Sequence, residues 1–204
     1  MNQQPITLRN ANPTFDEGLA FARYLDEAAE GFFRFMIGRR STEIIAKAFA
    51  LPGHDLSYQN VTFAERDDIV IGMASGYTAE QHHRSSLGPL KEAAGGRNVR
   101  MRIVLMLFAP LMRIIDSIAD GDFYLQAIAV DEQLRGDGLG TLLMDSLEQQ
   151  ARKNGAARLS LDVSAGNQGA TRFYERRGMT IESQWPKRLK VPALTFYRMT
   201  KELV

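Results

Sequence analysis

The stretch Gln133-Leu134-Arg135-Gly136-Asp137-Gly138-Leu139-Gly140-Thr141 constrains this chain most. An apolar run over residues 123–130 leads into it. An amphipathic pattern leaves it, with Leu139, Leu142, Leu143, Leu147 and Ala151 on one helical face. Three glycines therefore sit where a strand hands the chain to a helix. A helix start offers backbone N–H groups with no partner inside the helix, at the positive end of the macrodipole. Glycine lets a ligand's oxygens approach that backbone closely. The stretch reads as an anion seat, and a diphosphate suits it. No Lys-Ser/Thr pair follows the glycines, which excludes a P-loop. No glycine fingerprint occupies the first third of the chain, where a dinucleotide fold would place it.

The 204 residues, 45% of them hydrophobic, suffice for one substantial core, so a single domain over 1–204 is expected. Lys and Arg number 25 against 24 Asp and Glu, for a net charge of +1. Neither nucleic acid nor an anionic membrane is thus expected as the main partner. The absence of cysteine excludes disulfides, Cys-ligated zinc, iron–sulfur clusters and a cysteine nucleophile. No metal is expected. His82 and His83 are adjacent, do not share a helix face and read as solvated. The first residues carry neither a basic segment nor an apolar run, so cytoplasmic residence is expected. Residues 103–119 are rich in Ile, Leu, Met and Phe but contain Pro110, Arg113 and Asp116. They fall short of the ~20 apolar residues that span a bilayer. The expectation is a helix that is buried or covers a homodimer interface.

Along the chain, a short strand over 6–9 precedes a helix opened by Asn12-Pro13-Thr14 and running to about Ala29. Ser41-Thr42-Glu43 should cap a second helix over 44–51. Two alternating strands, 58–65 and 68–77, form a hairpin joined at Arg66-Asp67. Residues 78–121 read as helical and are broken at Gly88-Pro89 and Gly95-Gly96. From Asp122 onward the order is strand 123–130, helix, strand 158–163, short helix 169–177, and closing strands 180–184 and 193–200. The class is α/β.

Residues 130–141 resemble the acetyl-CoA-binding motif of the GNAT superfamily of N-acetyltransferases. Gln133, Gly136 and Gly138 satisfy its pattern, and Arg135, Gly138 and Gly140 satisfy it again two residues later. A second family motif follows: Leu161-Asp162-Val163, Asn167, Ala170, Phe173-Tyr174 and Gly178-Met179. Met179 stands where members often carry Phe or Tyr. The two motifs cover about 122–179. The resemblance implies a mixed, mostly antiparallel central sheet flanked by helices, here with a helical insertion (78–121) between the third and fourth strands. It implies acetyl-CoA as co-substrate and an amine acceptor, on a small molecule or on a protein. A catalytically inactive CoA-sensing module that kept the same site is the second reading.

Acetyl transfer to an amine needs a neutral amine, a stabilised carbonyl oxygen and a leaving thiolate. An amine of pKa ~10.4 is about one part in a thousand neutral near pH 7.4, so supplying that form is worth ~4 kcal/mol. Alternation places Asp122, Tyr124, Gln126 and Ile128 on one strand face. In the family a carboxylate near this strand's start often serves as base. Asp122 occupies that place, with a turn residue as the other reading, and Tyr124 or a water is the fallback. The resemblance further implies that Ile128, Ala129 and Val130 splay from strand 158–163 and present backbone to the pantetheine arm and thioester. Arg135, Gly136, Asp137, Gly138, Leu139, Gly140 and Thr141 would hold the diphosphate, with Asp137 turned to solvent and Arg135 reaching a phosphate. Tyr174 would place its hydroxyl near the CoA sulfur, its other reading being a core aromatic beside Phe173. Asn167 would bind pantetheine or cap the short helix. The acceptor would meet residues 30–37, the 78–121 segment and 185–191. Phe32, Phe33, Phe35, Met106 and Phe108 are candidates there for an apolar pocket or for core.

Overall fold

The computed structural model describes residues 5–95, 99–107, 117–186 and 195–203. Within them seven strands form one sheet in the order β1-β2-β3-β4-β5-β7-β6. These are β1 Thr7–Asn10, β2 Val61–Arg66, β3 Ile69–Thr78, β4 Asp122–Val130, β5 Arg158–Ser164, β6 Thr180–Trp185 and β7 Phe196–Glu202. Every neighbouring pair is antiparallel except β4–β5, which is parallel. A parallel pair needs a crossover, and the helix after the glycine-rich turn supplies it. The mixed, mostly antiparallel sheet agrees with the sequence expectation.

Helices cover both faces. On one lie α1 Phe15–Ala28, α2 Phe32–Ile37 and α3 Ser41–Phe49. Their Phe21, Leu25, Ile45 and Phe49 form a core with Phe63, Met73, Ala127 and Ala129 of the sheet. Thr14 caps α1 by accepting from the Glu17 N–H at 3.3 Å, and the Glu17 carboxylate reaches back to the Asn12 N–H at 2.6 Å. The helix expected to start at 44 begins at Ser41. Arg40 stands at its cap position and makes no side-chain cap, so Ser41 is the first helical residue and not the cap. The β2–β3 turn is Asp67-Asp68, both with positive φ, one residue later than expected. A two-residue hairpin needs that geometry at both positions, and Asp tolerates it.

Residues 78–121 contain α4 Ala79–Arg84, α5 Gly88–Ala93 and α6 Val99–Leu107. Thr78 and Gln81 form a capping box at α4. α6 buries Met101 and Val104 but leaves Val99, Ile103, Met106 and Leu107 exposed. Pro110, Arg113, Asp116 and Phe108 lie outside the described residues. No described helix is long and apolar enough to cross a membrane.

The opposite face carries α7 Leu139–Lys153 and α8 Gln168–Arg176. Leu139, Leu143, Met144, Leu147 and Ala151 of α7 pack on Phe123, Leu125, Leu159, Leu161 and Met199. Leu142, expected on that face, is largely exposed. Glu148 is buried in α7, where Lys201 Nζ donates to it at 2.7 Å and Arg177 Nη2 at 3.3 Å. Burial by itself would raise its pKa. The Lys201 and Arg177 contacts outweigh burial and hold it below the ordinary value of 4.5. A lowered carboxylate pKa stabilises the fold above the unfolded value, and that stability is lost as pH falls through the folded one. Glu148→Gln should therefore lower stability by about 2 kcal/mol at pH 7. It should also flatten the acid limb below about pH 4.5. Urea unfolding at pH 7 and pH 3 checks this, and an equal loss at both pH values would refute it.

Candidate active site

The site is built where β4 and β5 part. Their ladder has three rungs, Asp122↔Arg158, Phe123↔Leu159 and Tyr124↔Ser160. Beyond Tyr124, β4 continues to Val130 along β3 alone, and β5 continues to Ser164 along β7 alone. The facing edges of residues 125–130 and 161–164 thus carry backbone N–H and C=O groups with no strand opposite. The gap opens at Leu125, earlier than the 128–130 expected, and Ile128, Ala129 and Val130 lie on its β4 edge.

A bulge shapes the same strand. Ser75 pairs with Ala127 and Gly76 with Leu125, which leaves Gln126 as the extra residue on β4. Phe123 and Leu125 pack on the α7 side, and after the bulge so do Ile128 and Val130, whereas Ala127 and Ala129 join the α1–α3 core. The expected shared face of Asp122, Tyr124, Gln126 and Ile128 is therefore broken, because one inserted residue reverses the alternation. Gln126 Oε1 accepts from Ser75 Oγ at 3.0 Å. Gly76 is required here: a Cβ would lie 2.5 Å from the Phe123 ring and 2.8 Å from the Tyr124 carbonyl oxygen.

At the wide end of the gap lies the glycine-rich turn. A 3-10 turn, Glu132–Leu134, leads to Gly136 (φ 96°) and Gly138 (φ 84°). Gly138 is the left-handed N-cap of α7, and no side chain caps that helix. Side chains rarely adopt this conformation, and the space beside both glycines is open. The first N–H groups of α7 thus have no side-chain cap, which fits a diphosphate. Asp137 and Thr141 are exposed. Arg135 does not point to an open seat: it pairs with Glu27 of α1. Asp131, at the turn's start, accepts from Tyr24 Oη at 2.7 Å and Arg23 Nη1 at 3.1 Å.

The vertex holds the charges. Tyr124 Oη donates to Asp162 Oδ2 at 3.1 Å. Arg198 of β7 donates to both Asp162 oxygens, from Nε at 2.7 Å and Nη2 at 2.8 Å, and from Nη1 to the Ser117 carbonyl at 3.1 Å. Burial, then the Asp162 charge, pushes the Tyr124 pKa well above 10. Tyr124 is therefore a protonated donor with its proton committed, which does not suit the fallback base role. Asp122 lies on the closed side of the vertex, 3% exposed. Both its oxygens accept from Arg158, at 2.9 and 3.1 Å. This is a part-buried ion pair, and it gives no geometrical support to the proton-relay role expected of Asp122.

Asn167 caps α8 by accepting from the Ala170 N–H at 3.0 Å. Tyr174 is buried in the cluster containing Leu125 and Val163, against which Ile128 and Val130 pack. Its ring meets Phe173 edge-on at 5.2 Å. Among the described residues its hydroxyl has no hydrogen-bond partner, and burial raises its pKa above the ordinary 10. Phe32 and Phe33 pack against the first core, while Phe35 and Met106 are exposed. His82 is not solvated: Nδ1 lies 2.9 Å from Asp55 Oδ2, and its ring stacks on Tyr77, which stacks on Tyr124. Residues 187–191 of the expected acceptor region lie outside the described residues.

A family model described as the acetyltransferase (GNAT) family matches residues 23–179. This chain belongs to the GNAT acetyltransferase family. A crystal structure of an acetyltransferase is similar over 97% of this chain and 100% of that one, at 26% identity and a TM-score of 0.68. An N-acetyltransferase from Staphylococcus aureus Mu50 shares the fold at 16% identity, with a TM-score of 0.65 over 96% and 100% of the two chains. Among curated relatives, an uncharacterized N-acetyltransferase YdgE of Bacillus subtilis is 32% identical over 39% of this chain and 43% of its own length. An L-ornithine N5-acetyltransferase, NATA1, of Arabidopsis thaliana is 34% identical over 33% and 30%. The chain thus matches less than half the length of these relatives.

Four features of this GNAT site were missed in the sequence: Asp162–Arg198, Gln126 with Ser75, Glu27 and the β4 bulge. Asp162 carried a signal, since Ser160, Asp162 and Ser164 alternate with Leu159, Leu161 and Val163. A charged residue between two serines on one strand face predicts a polar partner across the sheet. The others had none, because their partners lie far away in sequence.

Proposed function

We propose that this chain transfers an acetyl group from acetyl-CoA directly to an amine, with both bound at once. The observation that carries the reading is the β4–β5 gap, which opens beside an uncapped, glycine-flanked helix start. The helix start and glycine turn suit the diphosphate. The open backbone edge of residues 125–130 suits an amide-bearing pantetheine arm, which can pair as an added strand. In this reading its N–H donors face the thioester oxygen as it gains charge, and one such donor is worth ~3 kcal/mol. Tyr174, protonated and without a hydrogen-bond partner among the described residues, supports the departing thiolate in this reading. Tyr124, Asp162 and Arg198 hold the vertex. Asp122 and Asp162 each have both oxygens paired, so the amine proton leaves through water in this reading. Asp122 acts by fixing Arg158 and the first rung of the ladder.

The likeness to an ornithine acetyltransferase puts ornithine and related small diamines at the head of an acceptor panel, before amino acids and peptide amines. The test is thiol release from acetyl-CoA with each amine, together with the intact mass of the protein after acetyl-CoA alone. The expected result is amine-dependent CoA release with no acetylated protein. CoA binding without turnover on any amine would overturn the transfer reading in favour of a sensing module. A stoichiometric acetyl-protein adduct would overturn the direct route.

A further inference from the structure

The turn that would seat the diphosphate is clasped by α1. Arg23, Tyr24 and Glu27 fall at the spacing of one helical face. Arg23 and Tyr24 hold Asp131, at the turn's start, while Glu27 holds Arg135, at its glycines. The two clasps differ in kind. Tyr24 is fully buried, its hydroxyl also reaches the Val70 carbonyl at 3.1 Å, and the Arg23 guanidinium lies 4.0 Å over its ring. That clasp is anchored. The Glu27–Arg135 pair is open to solvent, with side chains 38% and 53% exposed. Arg135 is also the cation nearest in sequence to the open glycines, where an anion would gain most from it. Glu27 therefore already places a carboxylate on the guanidinium that a diphosphate would use.

Resting on the donor reading above, we propose that Glu27 is an internal competitor for Arg135, and that the donor's diphosphate displaces it. Arg135 exchanges one anionic partner for another, so the gain on binding is smaller than a free arginine would give. The Arg23–Tyr24–Asp131 clasp keeps α1 and the turn together while the exchange occurs. The chemistry requires an anion at the turn. A ligand with the pantetheine arm but no diphosphate should not feel Glu27.

Calorimetric titration of CoA and of pantetheine at low salt tests this, using wild type, Glu27→Gln, Arg135→Met and the double variant. Exposed ion pairs are weak, so Glu27→Gln should tighten CoA by about 2- to 5-fold. It should leave pantetheine unchanged, and its benefit should disappear in the Arg135→Met background. Weaker CoA binding by Glu27→Gln would mean that Glu27 organises Arg135, which overturns the proposal. An undiminished benefit without Arg135 would reduce Glu27 to simple repulsion and overturn it equally. If wild type binds no CoA, the donor reading itself fails, and that outcome is distinct from the other two.

Discussion

Replacing Tyr174 by Phe is expected to lower kcat for acetyl transfer by about 100-fold, the scale of one donor aimed at developing charge. Affinity for CoA should change less than threefold, because the hydroxyl acts on the thiolate only as it forms. Stability should hardly move. Among the described residues the hydroxyl has no hydrogen-bond partner, so its loss leaves no buried group unpaired. Burial raises the Tyr174 pKa, so the protonated donor persists to higher pH than an exposed tyrosine near 10. The rate should accordingly rise with pH as the amine loses its proton, with no decline before pH 10 traceable to this residue. Steady-state kinetics from pH 6 to 10, with urea unfolding as a control, measure all of this. An unchanged kcat would return Tyr174 to the core beside Phe173.

Arg198→Met should cost about 3–5 kcal/mol of stability, because among the described residues it leaves the buried Asp162 carboxylate with only Tyr124 as a donor. The two side chains are 8% and 6% exposed, so water cannot take over the lost contacts. The companion variant decides the cause. Asp162→Leu combined with Arg198→Met removes both charges and should recover most of the loss, since buried pairs are replaceable by apolar ones of similar volume. Chemical denaturation of the three proteins gives the comparison. A loss below about 1 kcal/mol for the single variant would show the pair to be solvated in solution.

The site was legible in proportion to how local its physics is. Gly136 and Gly138 are needed for their backbone conformation, and conformation is written residue by residue. Asn167 caps a helix three residues away. The α7 face follows from a 3.6-residue repeat. Asp122 was less legible for the opposite reason. A carboxylate before a strand looks the same whether it faces substrate or Arg158, and Arg158 becomes its neighbour only through the parallel β4–β5 pairing. Gln126 shows the same limit at shorter range. Alternation predicts faces correctly until one inserted residue reverses them, and the bulge exists only because β3 and β4 meet in that register.

Sequence by itself determined the α/β class, the strand–glycine–helix turn, the two family motifs and the order of elements from Asp122 onward. Each rests on periodicity, capping or backbone freedom within a few residues. Tertiary structure alone decided where β4 leaves β5, which carboxylates are already paired, that Tyr124 spends its proton on Asp162, and that Glu27 rests on Arg135. Those outcomes depend on pairings between residues tens of positions apart, and charge, unlike periodicity, does not name its partner in advance.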